Sequence, residues 1–163
     1  MFASRAQHIE EVIRPGLAEG KIVLCDRFTD STEAYQGGGR KLGSEPVLAL
    51  HRILCGNLQP DLTILMDSDV AASVERARRR NKAHSGGSGI DQHDENRFEQ
   101  ESRAFFGRVR HAYQAIAARE PQRMTVVNAR GTPDETHNKI LEIVSSKLKL
   151  AVSPKMPLSA SSR

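Results

Sequence analysis

Apolar side chains at Phe2, Ala6, Ile9, Ile13 and Leu17 recur every three or four positions, and Glu10, Glu11, Arg14 and Glu19 fall mostly off that stripe. The spacing predicts a helix from near the start to about Ala18, closed by Gly20. Pro15 lies inside the pattern and is expected to kink the helix or end it early. Three short runs read differently. Residues 21–26 (KIVLCD), 61–67 (DLTILMD) and 124–128 (MTVVN) are apolar runs ending in a polar residue, the pattern of strands buried on both faces. Helical spacing returns over residues 45–54, 69–80, 97–119 and 134–150, with Asp69 as an N-cap and Pro133 as a helix start. Within 97–119, Phe98, Phe105, Val109, Tyr113 and Ile116 share one face.

Strands alternating with helices imply an α/β fold with a parallel sheet and right-handed crossovers. Ligands of such sheets bind beyond the C-terminal ends of the strands, where this sequence places Asp26-Arg27, Asp67 and Asn128. Three strands are few for so many helices, and the first helix begins at Met1 with no strand ahead of it; both features are expected of a shortened domain. That domain is expected over residues 1–150. Residues 151–163, rich in Ser and Pro, are expected to form a disordered tail.

Composition narrows the class only a little. The 163 residues are 38% hydrophobic and 27% charged, the balance of an ordinary soluble domain. No apolar run is long enough to cross a bilayer and no secretion signal opens the chain, so a cytoplasmic protein is expected, without a membrane partner. Cys25 and Cys55 sit among apolar residues and read as buried, reduced thiols. A net charge of +4 favours anionic partners but does not separate nucleotides from nucleic acid.

The chemistry concentrates in residues 26–40, DRFTDSTEAYQGGGR, which begin as a predicted strand ends. Arg27 offers a planar fork of donors suited to a phosphate. Asp26 suits a magnesium-bound water, or holds that arginine in place. Ser31, Thr32 and Gln36 offer the hydrogen bonds that a nucleobase edge requires, and Tyr35 a flat wall. Gly37, Gly38 and Gly39 allow a tight turn or a close approach to a ligand. By spacing alone the segment reads equally well as a strand-to-loop junction with a surface Asp–Arg pair and a glycine turn.

DRFTDSTEAYQGGGR resembles the DR[FY]xxSxxAYQG motif of the thymidylate kinase family, and FASRAQHIEEVIRPGLAEGKIVLC resembles the segment that leads into it. PDLTILMD and the FEQE of residues 98–101 extend the similarity over roughly residues 1–150. The resemblance implies a P-loop-kinase-like α/β fold with a mobile lid, and ATP-dependent phosphorylation of dTMP to dTDP with magnesium. It implies that Arg27 binds the dTMP phosphate, with Asp26 beside the transferring phosphoryl group. Arg5 matches the helix arginine that contacts the monophosphate nucleotide, and Phe2 the aromatic that stacks on thymine. Ser31, Thr32 and Gln36 are implied around the base, and Tyr35 against the deoxyribose. A homodimer is expected on the same ground.

Residues 75–80 (ERARRR) precede a glycine-serine stretch. They read as a solvated basic helix end, or as a nucleic-acid patch, which the lack of interleaved aromatics disfavours. The resemblance makes them the start of a lid over residues 78–96, with Arg78 and Arg80 reaching the transferring phosphate. It also assigns Phe98 to cover the base and Glu99 to the sugar or magnesium shell, while Asn96 stands where the family carries an acid. His84, Asp91, His93 and Asp94 lack ligand-grade spacing and read as surface polar residues, so no protein metal cluster is expected.

The motif G-x-x-x-x-G-K-[ST], whose amides and lysine hold ATP phosphates, does not occur in these residues. In the family it lies upstream of the position that Met1 matches. A misassigned start codon, a gene fragment and a shortened expression product are each compatible with that, and each implies weak kinase activity. The alternative expectation is a non-catalytic module that binds dTMP.

Overall fold

The computed structural model describes residues 2–68 and 92–148, and over 92–102 the backbone alone. The N-terminal helix is continuous but not uniform: α1 (Phe2–His8) passes through a π-helical turn (Ile9–Ile13) into α2 (Arg14–Ala18). The Arg14 N–H donates to Ile9 O, one residue further back than in an α-helix. The proline that follows has no N–H to give, and this wider turn carries the chain past it, so Pro15 occupies the first turn of α2 instead of ending the helix. Termination comes at Gly20 (φ 73°). The Gly20 N–H bonds to Leu17 O at 2.9 Å and the Lys21 N–H to Gly16 O at 2.9 Å. That double bond around a left-handed residue is a Schellman end, which glycine adopts without a Cβ clash.

The stretch read from composition as loop and glycine turn is helical. α3 (Thr29–Thr32) runs directly into a second π-helical turn (Glu33–Gly39), and α4 (Ser44–Cys55) follows. Two strands, β1 (Thr63–Asp67) and β2 (Met124–Asn128), pair in parallel with Thr63 opposite Met124 and Asp67 opposite Asn128. Between them in sequence lies α5 (Gln92–Arg119), which begins five residues ahead of the expected start. α6 (Pro133–Leu148) closes the described chain. Its start is a capping box: the Glu135 N–H donates to Thr132 Oγ1 (3.2 Å) and the Thr132 N–H to Glu135 Oε2 (2.8 Å). Those bonds hold the Glu135 carboxyl below its usual pKa.

The expectation of three strands is corrected to two among the described residues. Residues 21–26 carry the apolar pattern of a buried strand, but no neighbouring strand pairs with them here. A strand is defined by its ladder partners, and without them Ile22 is 69% and Leu24 97% exposed. Cys25 is exposed for the same reason, against the expectation of burial; Cys55 is buried, and both thiols are free. The predicted helix over 69–80, the lid from 78 to its junction with α5, and the tail 151–163 lie outside the described residues. No helix among the described residues is long and apolar enough to cross a membrane.

Two apolar clusters flank the 28–39 segment. Ile9, Ile13 and Cys55 form one, with Phe2, Ala6, Val23, Phe28 and Leu58 against it. Ala34, Val109, Ile116 and Met124 form the other, with Tyr35, Leu65, Phe105 and Tyr113 against it. The glycines belong to this packing. A Cβ on Gly38 would collide with Ala112 of α5, and one on Gly39 would come within 2.7 Å of both Phe105 and Val109. They bring two helices into backbone proximity, within a helical segment where a glycine turn was expected.

Gly39→Ala is therefore expected to destabilise the chain by about 1–3 kcal/mol, the usual range for overpacking. Gly107→Ala, whose Cβ meets nothing within 4 Å on α5, is expected to stabilise by up to about 1 kcal/mol through helix propensity. Urea unfolding of the two variants checks the contrast, and equal effects would remove the packing role assigned to the glycine.

Candidate functional site

Arg27 sits at the corner where the unpaired segment turns into α3, in a left-handed conformation (φ 65°). A non-glycine residue held there is strained, and such strain concentrates at functional positions. Its guanidinium lies over the Tyr35 ring, 4.7 Å from the centroid. The surface Asp–Arg pair allowed by the sequence does not form: Asp26 is exposed and its carboxylate has no ion-pair partner among the described residues. Tyr35 in turn meets Phe105 and Tyr113 edge-on, with centroids 6.1 and 6.5 Å away. Tyr113 Oη donates to Ser31 Oγ at 2.8 Å. Arg27, Ser31, Tyr35 and Tyr113 thus form one group.

One residue along α3, Thr32 faces the other side. Arg5 Nη2 donates to Thr32 Oγ1 at 2.8 Å and to the Phe28 carbonyl at 3.4 Å. The guanidinium packs against the rings of Phe2 and Phe28, 5.4 Å from each. Burial lowers its pKa, yet arginine stays charged at any ordinary pH. Arg5 Nη1 is buried without a hydrogen-bond partner among the described residues. An orphaned cationic donor in a half-buried position is costly unless an anion or acceptor completes it. Gln36 is half-buried, and its amide makes no hydrogen bond among the described residues.

What holds these groups in place was not read from the sequence. Asp30 and Glu33, three residues apart on the same helical segment, are buried to 6% and 2% exposure. Arg123 grips Asp30 through two bonds of 2.8 and 3.0 Å. Arg119 grips Glu33 through two of 2.8 Å. At the start of α3, Thr29 Oγ1 lies 3.0 Å from His51 Nδ1, and His51 Nε2 lies 2.9 Å from the Leu58 carbonyl. A carbonyl only accepts, so Nε2 carries the proton and Nδ1 accepts from Thr29. His51 is fully buried and burial depresses its pKa, so it is neutral. At the end of β1, Asp67 is held by Arg110 in a bidentate pair at 2.7 Å.

The structure brings together seven of the expected residues, Phe2, Arg5, Arg27, Ser31, Thr32, Tyr35 and Gln36, along one helical segment and the helix beside it. Asp26 stands next to them with its carboxylate open to solvent. Arg78 and Arg80 lie outside the described residues, as do the side chains of Phe98 and Glu99, whose backbone is in α5. Among the described residues no three His, Cys, Asp or Glu cluster to hold a metal. A separate concavity of about 380 Å³, lined by Met66, Ala129, Gly131, Pro133, Thr136, His137 and Ile140, lies where the strands meet α6.

A parallel pair of strands, helices packed on them and a cationic corner with strained backbone describe an α/β protein with a place suited to an anion. Residues 1–140 match the family model described as thymidylate kinase. The thymidylate kinase of Syntrophotalea carbinolica is 47% identical over 148 residues, covering 91% of this chain and 66% of that protein. That of Desulfovibrio desulfuricans is 49% identical, covering 82% and 59%. The crystal structure of thymidylate kinase from Ehrlichia chaffeensis superposes with a TM-score of 0.61 at 26% identity, covering 88% of this chain and 59% of that one. The chain belongs to the thymidylate kinase family, and it spans just under two thirds of the length of the first of these relatives.

Arg123→Met leaves Asp30 buried and unpaired, and is expected to cost about 3–5 kcal/mol in chemical unfolding. Arg52→Met, which breaks only the exposed pair with Glu45, is expected to cost under about 1 kcal/mol. For His51, the unfolded chain takes up a proton near the ordinary value of 6.5 while the folded chain resists it. The stability is fully present above that pH and declines as pH falls below it. In melts at successive pH values, His51→Gln should flatten that decline, and an unchanged slope would place its origin elsewhere.

Proposed function

We propose that this chain binds dTMP along the 26–36 segment, as the acceptor half of an ATP:dTMP phosphotransferase. The observation that carries the reading is Arg27, strained, exposed and stacked on Tyr35; on the other side of α3, Arg5 Nη1 is buried without a partner among the described residues. In this reading Arg27 takes the phosphate of dTMP by charge-assisted bonds. Arg5 and Phe2 meet the base end, Ser31, Thr32 and Gln36 supply its hydrogen bonds, and Tyr35 lies along the deoxyribose. Transfer forms a bond from a dTMP phosphate oxygen to the γ-phosphorus of ATP as the bond to the β-phosphate oxygen breaks. Arg78 and Arg80 offset the charge that develops on the γ-phosphoryl oxygens. Phe98 and Glu99 complete the nucleoside pocket.

The open Asp26 carboxylate fits a water of magnesium, which is commonly held by one or two carboxylates and the substrate phosphates. When bound, magnesium supplies charge neutralisation between the phosphates. These 163 residues contain no G-x-x-x-x-G-K-[ST], which favours, as a second reading, binding of dTMP without turnover. A cytoplasmic homodimer is part of the proposal, with the exposed Leu50, Ile53 and Leu54 of α4 as apolar surface for a second copy to cover.

Titration with dTMP should raise the melting temperature, and Arg27→Ala should weaken binding about 10- to 100-fold, since each charge-assisted bond is worth about 1.5–3 kcal/mol. Undiminished binding by that variant would move the phosphate site elsewhere. A coupled ADP-release assay separates the two readings: dTMP-dependent turnover by these 163 residues rules out the binding-only one.

A further inference from the structure

Ser31 is buried in α3, and a serine hydroxyl offers one hydrogen to donate and two lone pairs to accept with. Tyr113, reaching across from α5, fills one lone pair at 2.8 Å. Beyond its backbone bond to the Phe28 carbonyl, Ser31 makes no other hydrogen bond through its hydroxyl among the described residues, so that hydrogen is left to give. Burial pushes the Tyr113 phenol up from its ordinary pKa, so the group keeps its proton. Its ring is packed against the cluster of Ala34, Val109 and Ile116, so the hydroxyl is delivered from a rigid base. The same ring supports Tyr35 edge-on, and Tyr35 carries Arg27 on its face. One residue outside the recognised motif therefore braces three residues inside it.

We infer that Tyr113 is a positioning residue that sets Ser31 as a hydrogen-bond donor toward a carbonyl oxygen of the bound pyrimidine, favouring a base with carbonyls at both positions over one bearing an amino group. The inference rests on the dTMP reading above. At the ring position where cytosine carries its amine, a donor fixed in a buried wall meets the thymine carbonyl productively, whereas the amine either faces the Ser31 hydrogen or takes the second lone pair and leaves that hydrogen buried without an acceptor. Sites built to hydrogen-bond one partner reject its analogue for this reason.

Calorimetric titration with dTMP and dCMP of the full chain, Tyr113→Phe, Ser31→Ala and the double variant tests it. Tyr113→Phe keeps the ring and its stacking and deletes only the hydroxyl. Both single variants should weaken dTMP binding about five- to tenfold, the range for one buried hydrogen bond. The double variant should lose no more than the worse single one, because the two groups act through the same bond. Each single change should also lower the ratio of dTMP to dCMP affinity, which general loosening of the fold would leave unmoved. If the unaltered chain binds no dTMP, the functional reading falls and this inference with it. If it binds and Tyr113→Phe binds equally well, only the positioning role is overturned. Losses that multiply in the double variant, or an unchanged dTMP to dCMP ratio, overturn it as well.

Discussion

Two carboxylates buried on one short helical segment set the terms for the rest of this structure. Asp30 and Glu33 cannot sit at a few per cent exposure as free anions, since removing an ion from water costs several kcal/mol unless a partner compensates. Arg119 and Arg123, four residues apart at the end of α5 and in the turn beyond it, each answer with a bidentate grip. The 29–39 segment is thereby fixed against both α5 and the entrance to β2. Thr63, at the start of β1, donates to Asp30 as well, so the sheet and the segment share an anchor.

With that anchor in place, the glycines and aromatics fall into order. Gly38 and Gly39 let the segment lie directly on α5, which puts Tyr35 against Phe105 and Tyr113. The polar residues around the proposed nucleotide site are then presented by a helix clamped along its length, while Arg27 stands at its strained N-terminal corner. Rigid support is what precise recognition needs, because a hydrogen bond weakens steeply as its geometry drifts.

Much of the fold is legible in sequence where an element carries its own pattern. The apolar runs of β1 and β2, the amphipathic spacing of α4 and α6 and the shared face of Phe105, Val109, Tyr113 and Ile116 each state their surroundings locally. Residues 21–26 state the same pattern and yet form no strand, because strand formation depends on neighbours that a run of side chains does not specify. DSTEAYQGGG reads as a turn by its Ser, Asp, Thr and Gly content, and tertiary packing overrides that propensity. The residues of the proposed site are legible through a motif. Tyr113, Arg119, Arg123 and His51 were not: Tyr113 registers as core by periodicity, and a buried His or Arg gives no sign in sequence of the partner that buries it. The one available signal was a pair of acids three apart matched by arginines four apart near the end of a helix.

The π-helical turn at Ile9–Ile13 acts as a phase adjuster between the two ends of the N-terminal helix. Each residue of an α-helix advances its side chains by about 100°, so the extra residue accommodated in this turn offsets the faces on either side. Upstream, Phe2 and Arg5 face Phe28 and Thr32; downstream, the helix runs on through Pro15 to its glycine stop. Shortening the chain by one residue inside the turn would leave a regular helix of good intrinsic quality, but with Arg5 rotated off Thr32. The irregularity is thus a matter of angular bookkeeping, and a straighter helix would be a worse one for this site.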